Sequence, residues 1–320
     1  MSAGRRIAVL FGGKSQEAEV SKVSAREVAA ALASKGHSVS LIPADASVVA
    51  ALVRERPDVV FPALHGSPGE DGTVQGMLEM MGLPYVGSGV EASAFAMNKI
   101  IAKLGFRAAG LPLARQLVFT ARDEVAQSCA AIVEQLGAAV AVKPATQGSA
   151  IGVTLVRNAN QLPGALQLAQ SFGGSVLVEE LIVGREITVA VLDFFGHAPQ
   201  LLPVVEIRTP KDTWYDYEHR YTAGESDHLI PAPVSDEATK ALQRIALDAH
   251  RVLGCRDLSR ADFVYNESVG PILLEVNTLP GMTPTSLFPD AARAVGISFA
   301  DLMDALIESA LARATARAEG

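Results

Sequence analysis

A regular alternation of short apolar strands and helical segments near the amino terminus constrains the fold of this chain more than any other feature. Residues 6–11 (RIAVLF) read as a buried strand that ends at Gly12 and Gly13, and a helical pattern follows from Glu17 to about Ser34. The same order then repeats in a strand at 38–42, a helix at 46–55 and a strand at 58–64. Strands separated by helices are usually parallel, because a right-handed crossover helix packs back onto the sheet. We therefore predict a parallel sheet covered by helices.

The pattern of strands and helices changes twice along the chain, which predicts three domains. The first domain ends after a short strand and turn at 84–89, and one helix at 91–104 follows and carries Lys99. Beyond this helix, strands and helices mix without regular alternation, as in α+β units. The predicted domains are an amino-terminal α/β domain at 1–98, a central subdomain at 99–183 and a carboxy-terminal subdomain at 184–320.

Composition excludes several classes of protein. Of the 320 residues, 49% are hydrophobic and 19% are charged, and the mean hydropathy is +0.25, which is typical of a folded globular protein. The formal charge is -8 and no basic block stands out, so we expect no nucleic-acid partner. No apolar run approaches the roughly 18 residues of a membrane span, and none near the start has the length of a signal peptide. We therefore expect a cytoplasmic protein with no membrane partner.

Charged and amide side chains interrupt two apolar strands near the carboxyl end. They are Arg260 and Asp262 in one strand, and Glu275 and Asn277 in the next. In each strand the two residues share a face, so a hairpin would bring all four side chains together. Oxygen ligands of this kind suit Mg²⁺, which proteins often share with substrate phosphates. The alternative is a buried salt bridge of Arg260 with Asp262 or Glu275.

Two lysines and a glycine-rich turn are candidates for binding phosphate. Lys143 ends an apolar strand, and residues 147–152 (QGSAIG) form a turn whose backbone N–H groups could face a triphosphate. Lys99 lies on a predicted helix. Most turns of this kind bind nothing and most lysines are solvated surface charges, so the structural alternative stays open for each of them.

A group of acidic residues and an aromatic loop are candidates for nucleotide binding. Glu179 and Glu180 end a strand and Glu186 follows a turn, so they could accept hydrogen bonds from an adenine amino group and ribose hydroxyls; a solvated turn is the alternative. Residues 209–224 hold the only tryptophan and three of the five tyrosines, interleaved with basic residues. Rigid aromatic side chains concentrated in a loop favour a lid over a plain connection.

Two further candidates lie in the first domain. His65 opens a glycine-rich loop directly after the third strand, at the carboxyl end where open α/β sheets place ligands. Glu17 lies in the first turn of the first helix. Each also has an ordinary structural explanation, because an acidic residue suits the start of a helix and an isolated histidine is more often structural than catalytic.

These residues fall in motifs with a distinctive order. The motifs are FGGKSQEAEVS at 11–21, ALHGSPGEDGTVQGMLEMMGLPYVGSG at 63–89, MNK at 97–99, VKPATQGSAIGV at 142–153, WYDYEHRY at 214–221, SRADF at 259–263 and LLEVNTLPGMTPTSL at 273–287. In this order they resemble the D-alanine:D-alanine ligases of the ATP-grasp superfamily, nearly from end to end. The combination of HGSPGEDG with EVNTLPGMT is highly specific.

The resemblance implies a fold, a reaction and cofactors. The fold is mixed α/β and α+β with ATP-grasp architecture, in which the parallel-sheet domain precedes two ATP-grasp subdomains with a lid loop at 209–224. The reaction is the ATP-dependent ligation of two D-alanines through a D-alanyl phosphate, for peptidoglycan precursor synthesis. The implied cofactors are ATP and two Mg²⁺ ions, with Mn²⁺ as a substitute, and the implied assembly is a homodimer.

The resemblance also assigns residues to the two amino-acid substrates and to the charge of the intermediate. Glu17 would hold the ammonium of the first D-alanine with His65 nearby, and Ser149 would connect Glu17 with the lid residue Tyr221. The oxyanion would be stabilised by Arg260 and the amide of Gly281. The second amino acid would bind at Ser286 and Leu287.

On the nucleotide side, the resemblance assigns residues to phosphate, adenosine and metal. Lys99, Lys143 and Arg220 would contact phosphates. The residues around adenosine would be Glu179, Leu181, Glu186 and Trp214, and the ligands of the two Mg²⁺ ions would be Asp262, Glu275 and Asn277.

Two alternative functions stay open. A related ligase would join D-alanine to D-serine or D-lactate, and the pocket around Leu287 would decide between them. Tyr221 favours an amine over a hydroxyl nucleophile, because relatives that form depsipeptides usually lack this tyrosine. A nucleotide-binding protein without activity is the other alternative, and the presence of both the metal ligands and Arg260 argues against it.

Overall fold

The amino-terminal part of the chain forms the predicted alternation of strands and helices. The structure is a computed structural model, and it describes residues 4–13, 17–120, 122–210, 226–283 and 286–319. The first elements are β1 (Arg6–Phe11), α1 (Ala18–Ser34), β2 (Ser38–Pro43), α2 (Val48–Glu55), β3 (Val59–Pro62), α3 (Thr73–Met80) and α4 (Val90–Met97). The three strands form a parallel sheet in the order β2-β1-β3, as the sequence predicts. Tyr85 adds a single parallel bridge to Val60 of β3.

The middle of the chain forms a four-stranded antiparallel sheet with two helices on one face. Its elements are α5 (Lys99–Ala108), β4 (Gln116–Phe119), α6 (Val125–Gln135), β5 (Val140–Pro144), β6 (Thr154–Val156), α7 (Leu162–Ser171) and β7 (Val176–Glu180). The strands pair in the order β4-β7-β5-β6. Ile132 of α6 and Leu166 of α7 pack against Val140 and Val178 of the sheet in one apolar core.

The carboxy-terminal part forms the largest sheet found in the described residues. Its elements are β8 (Arg185–Asp193), β9 (Gln200–Leu201), β10 (Val205–Arg208), β11 (Asp227–Leu229), α8 (Asp236–Val252), β12 (Asp257–Asn266), β13 (Gly270–Asn277), α9 (Leu287–Ala294) and α10 (Phe299–Glu319). The strands follow the order β11-β10-β8-β12-β13, with β9 beside β8. Helix α8 is capped by Ser235, whose side chain accepts from the Ala238 N–H at 3.1 Å.

The last helix returns to the first domain. Leu302 and Leu306 of α10 are fully buried in the same core as Ile7 and Val9 of β1, and α10 lies along α1. The apolar face of this helix therefore covers the parallel sheet. None of the helices in the described ranges is long and apolar enough to cross a membrane.

A buried carboxylate ties α10 to two other parts of the fold. Asp257, at the start of β12, is fully buried and lies 2.6 Å from the Arg313 guanidinium of α10. It also accepts from the Ser309 hydroxyl of α10 and from the Gly87 N–H of the first domain, each at 2.8 Å. Because a buried carboxylate without partners costs several kcal/mol, these contacts hold the three segments in one arrangement.

The predicted single helix at 91–104 is wrong, since the structure divides it at Asn98. This residue has an extended backbone, and its side-chain oxygen accepts from the N–H groups of Ile100 and Ile101 at 3.1 and 3.3 Å. It therefore ends α4 and caps α5. The sequence pattern missed the break because asparagine occurs both inside helices and as a helix cap. Only the course of the backbone at this residue decides between these two roles. Lys99 consequently occupies the first position of a new helix.

Replacing this cap is expected to destabilise the protein. Asn98→Ala leaves two N–H groups of α5 without an acceptor and should lower the free energy of unfolding by about 1 kcal/mol. Asn98→Asp keeps an acceptor at the same place and should remain within a few tenths of a kcal/mol of the wild type. Urea unfolding followed by circular dichroism measures both values. Equal stability of the alanine variant and the wild type would contradict the capping role.

Candidate active site

The hairpin of β12 and β13 brings together the four side chains that the sequence analysis singled out. In its register Arg260 lies opposite Asn277, and Asp262 lies opposite Glu275, directly before a β-bulge. Arg260 donates two hydrogen bonds to Asp262, each of 2.8 Å. The buried salt bridge that was the alternative to a magnesium site is therefore present, and it lies within this cluster of four side chains.

Each side chain that contributes an oxygen to this cluster has a hydrogen-bond or ion-pair partner of its own. Asp262 also accepts from the Thr188 hydroxyl at 2.7 Å, and Glu275 lies 2.9 Å from the Lys99 ammonium. Asn277 accepts from the Leu279 N–H at 3.1 Å. Nearby positive charge and donors compensate the negative charge that these strands place inside the protein.

A cavity of about 540 Å³ lies between the two antiparallel sheets and has the size of a nucleotide-binding pocket. Residues of β5, β7, β12 and β13 line it. Its lining includes most of the residues predicted on the nucleotide side: Lys99, Lys143, Glu179, Glu180, Leu181, Glu186, Asp262 and Glu275.

Buried charges form the back of this cavity. The Glu179 carboxylate lies 2.6 Å from the Lys143 ammonium and 2.7 Å from the Lys103 ammonium. Burial alone would raise the pKa of Glu179, but the two lysines outweigh burial and hold this pKa at about 2. Burial opposes the charge of Lys143, but the carboxylate of Glu179 outweighs it and raises the pKa of this lysine.

Glu180 differs from its neighbour. Its carboxylate lies 2.8 Å from the Arg115 guanidinium, and 33% of its side chain is exposed. The side-chain hydrogen bond from Arg115 lowers the pKa of Glu180. Its side chain therefore makes a partly exposed ion pair in the lining of the cavity, and its contact with a nucleotide stays a prediction.

A second, smaller cavity of about 80 Å³ holds the residues predicted to bind amino acids. Its lining includes Glu17, His65, Lys99, Ser149, Arg260, Glu275, Asn277, Gly281, Ser286 and Leu287. Lys99 and Glu275 line both cavities, so the two spaces meet at this ion pair. A group placed in the larger cavity can therefore reach a group placed in the smaller one.

Glu17 and Ser149 meet across 132 positions of the chain. Glu17 precedes α1 and is buried, and the Ser149 hydroxyl donates a hydrogen bond to its carboxylate. Ser149 and Ala150 both have left-handed backbones, with φ of 45° and 57°. This unusual conformation, which costs about 1 kcal/mol or more per residue, turns the loop at 147–152 toward the first domain.

His65 and Gly281 face each other at the other end of this cavity. His65 is buried beside the Ser24 hydroxyl at 3.3 Å, and burial lowers the pKa of its imidazole. A Cβ atom at Gly281 would lie 2.8 Å from the Ser286 hydroxyl and 3.9 Å from the His65 ring, so a side chain at this position would have to displace the Ser286 hydroxyl. The Ser286 hydroxyl accepts from the Thr283 N–H at 2.9 Å, and buried Leu287 begins α9.

Sequence reasoning missed two ionisable residues at the site. Glu70 lies within the quoted HGSPGEDG motif and lines the smaller cavity, where it accepts from the Gly66 N–H at 2.5 Å. Lys103 is among the largest fully buried side chains. A signal for it was present, because Lys103 shares the face of α5 that carries buried Ala102 and Phe106.

Three predicted residues lie outside the described part of the chain. They are Trp214, Arg220 and Tyr221, together with most of the predicted lid at 209–224. Their assignments stay predictions.

Comparison with known proteins agrees with this arrangement. Two family models match the chain, D-ala D-ala ligase C-terminus at residues 106–308 and D-ala D-ala ligase N-terminus at residues 46–88. The D-alanine–D-alanine ligase of Desulforudis audaxviator is 48% identical over 312 residues, which cover 97% of this chain and 99% of that protein. The corresponding enzyme of Moorella thermoacetica is 45% identical over 309 residues, covering 96% of this chain and 99% of that protein.

Solved structures show the same likeness. The D-alanine–D-alanine ligase of Bacillus anthracis complexed with ATP superposes with a TM-score of 0.84 at 29% identity, covering 99% of this chain and 100% of that chain. The D-alanyl-alanine synthetase A of Vibrio cholerae gives a TM-score of 0.85 at 29% identity, with 98% and 100% covered. A mixed α/β chain with such neighbours and a nucleotide-sized cavity between two antiparallel sheets is an ATP-grasp ligase. The chain belongs to the D-alanine–D-alanine ligase family, so the predicted family, fold class and enzyme class are confirmed.

The carboxyl of Glu70 is expected to make stability depend on pH. Burial and the charge of nearby Glu17 raise the pKa of Glu70 from 4.5 to about 8. The folded state therefore keeps a proton that the unfolded chain loses, and the stability from this group falls as pH rises between these values. In Glu70→Gln, the melting temperature should fall less than in the wild type between pH 5 and pH 8.

Calorimetry of the ligand-free protein at several pH values measures this difference. Glu267→Gln, at an exposed position in the turn between β12 and β13, is the matched control and should follow the wild type. An unchanged pH dependence in Glu70→Gln would contradict the shifted titration.

Proposed function

We propose that this chain joins two D-alanine molecules to D-alanyl-D-alanine at the two cavities, with ATP converting the first carboxylate to a D-alanyl phosphate. The observation that carries this proposal is the meeting of the two cavities at Lys99 and Glu275. A carboxylate is a poor acyl donor, so a phosphoryl group has to reach it from the nucleotide before the second amine attacks. A D-serine or D-lactate second substrate is not favoured, because the relatives described above are named D-alanine–D-alanine ligases.

The larger cavity is proposed to hold ATP. Lys99 and Lys143 would contact its phosphates, because they place positive charge on the cavity wall. Glu179, Leu181 and Glu186 would surround adenosine. Phosphoryl transfer needs little covalent chemistry from a protein, and positioning with compensation of charge supplies most of the acceleration.

The donor set of the hairpin fits magnesium. Asp262 and Glu275 are carboxylates on opposite strands, and Asn277 adds an amide oxygen. Among the residues that the structure describes, no group of three His, Cys, Asp or Glu side chains forms a ready metal site. Mg²⁺ usually takes one or two carboxylates and completes its shell with phosphate oxygens and water. When bound, such ions would compensate the negative charge of the phosphates; Mn²⁺ is the proposed substitute.

The smaller cavity is proposed to hold the amino acids. Glu17, fixed by Ser149, would bind the ammonium of the first D-alanine, with His65 beside it. The guanidinium of Arg260 and the N–H of Gly281 would stabilise the oxyanion that forms when the second amine attacks. The second D-alanine would lie at the start of α9, at Ser286 and Leu287.

Four further assignments are proposals on the family resemblance alone. Trp214 would contact adenosine, Arg220 the terminal phosphate and Tyr221 the first substrate through Ser149. The loop at 209–224 would then close the site and exclude water, which hydrolyses an acyl phosphate. We further propose domain boundaries at 98 and 183, a homodimer, and cytoplasmic action in peptidoglycan precursor synthesis.

The direct test is release of ADP by the purified protein with ATP, Mg²⁺ and D-alanine. Release should depend on D-alanine and should be accompanied by D-alanyl-D-alanine in the mixture, whereas L-alanine should give none. Release of ADP with D-serine or D-lactate added as the second substrate should not exceed the release with D-alanine alone. Absence of stimulation by any D-amino acid would overturn the substrate assignment.

Removing one carboxylate charge should lower turnover while the protein still folds. Glu275→Gln keeps the size of the side chain but removes the charge proposed to hold a metal ion, so turnover should fall by about a hundredfold or more. Glu267→Gln makes the same change at the exposed end of the same hairpin and should keep the wild-type rate. Melting temperatures show whether both variants fold. A Glu275→Gln variant with the normal rate would refute the assigned role.

A further inference from the structure

Lys103 is a buried charge that the proposed mechanism does not use. It is 1% exposed, on the inner face of α5, and its ammonium lies 2.7 Å from one carboxylate oxygen of Glu179. It also donates to the carbonyl of Leu273 in β13 at 3.3 Å. A buried ammonium costs several kcal/mol unless it is paired, so Lys103 requires the Glu179 carboxylate as its partner.

Glu179 is shared between two lysines that differ in access to the cavity. Its second carboxylate oxygen lies 2.6 Å from Lys143, whose side chain is 13% exposed and lines the larger cavity. Lys103 does not line that cavity and is closed off behind Glu179. Lys143 can therefore turn toward a ligand in the cavity, whereas Lys103 has to stay beside Glu179.

We propose that Lys103 is the permanent counter-ion of Glu179, which lets Lys143 leave that carboxylate for the phosphates of a bound nucleotide. Without Lys103, the departure of Lys143 would leave a buried carboxylate without a cation. With Lys103, the carboxylate stays ionised and fixed at the back of the cavity, where it accepts from the adenine amino group. Lys103 is thus a positioning residue that acts through Glu179 and Lys143. This inference rests on the proposed binding of ATP in the larger cavity.

The charge balance of the three residues supports this role. Two ammonium groups face one carboxylate, so these three residues by themselves carry one positive charge in excess, and the carboxylates of Glu275 and Glu186 act on Lys143 from the same cavity wall. An incoming triphosphate takes up this surplus through Lys143, while Glu179 and Lys103 remain a neutral pair. Burial lowers the pKa of Lys103 and the charge of Glu179 opposes that effect, so the state of the lysine depends on the carboxylate.

The test is a double-mutant cycle at Lys103 and Glu179, read as steady-state kinetics. Lys103→Met keeps the length of the side chain and removes its charge, so KM for ATP should rise by about tenfold or more, because Lys143 is then the only cation on Glu179. The kcat and the KM for D-alanine should stay within about twofold of the wild type. Arg107→Met removes a positive charge from an exposed position of the same helix and should change none of the three.

Neutralising the carboxylate should remove the need for its counter-ion. In Lys103→Met combined with Glu179→Gln, KM for ATP should lie within about threefold of Glu179→Gln alone. A structural role of Lys103 instead predicts that the two penalties multiply, and this result would overturn the proposal. If Lys103→Met does not fold, KM for ATP of the double variant is still compared with that of Glu179→Gln alone, and this comparison tests the proposal in the same way.

One more variant separates failure of this inference from failure of the nucleotide assignment. Lys143→Met should raise KM for ATP if the larger cavity binds the phosphates. An unchanged KM in Lys143→Met would refute the assignment of the cavity and the role of Lys103 with it. A raised KM in Lys143→Met together with an unchanged KM in Lys103→Met would overturn only the role of Lys103.

Discussion

Compensation of buried charge is the constraint on which the rest of this structure depends. Apolar strands carry Asp262 and Glu275 into the interior, and each is held there by a cation from another part of the sequence or from the same strand. Glu179 follows the same rule with two lysines. A binding site for a highly charged nucleotide needs such groups in place before the ligand arrives, and the fold keeps them by pairing them with one another.

The same ion pairs join separate parts of the chain. Lys99 starts α5 and contacts Glu275 of β13, so the boundary of the two cavities is also a contact between a helix and a distant strand. Asp257, which lines neither cavity, connects α10 with the first domain through Arg313 and Gly87. Pairing of buried charges therefore serves both the site and the contacts between distant parts of the fold.

Much of the site could be predicted from the sequence because charged residues inside apolar strands are conspicuous. Asp262, Glu275 and Asn277 stand out in this way, and the hairpin places them together as expected. Lys103 and Glu70 did not stand out, because lysine on a helix and glutamate in a loop are usually solvated. Asn98 was misread because the same residue suits a helix interior and a cap. For Lys103 and Glu70 the deciding information is the tertiary surroundings, which depend on neighbours far along the chain, and for Asn98 it is the backbone conformation at that residue.

The sequence by itself determined the alternation of the first domain, the β12–β13 hairpin with its polar side chains, and the motifs that identify the family. These are local patterns of period two or 3.6, or short motifs, and they do not require knowledge of the rest of the chain. Only the tertiary structure decided that the two cavities meet at Lys99 and Glu275, that Glu17 reaches Ser149, and that Lys103 lies behind Glu179. The physical reason is that these contacts join different sheets and helices, and their partners are selected by packing and by the need to pair buried charges.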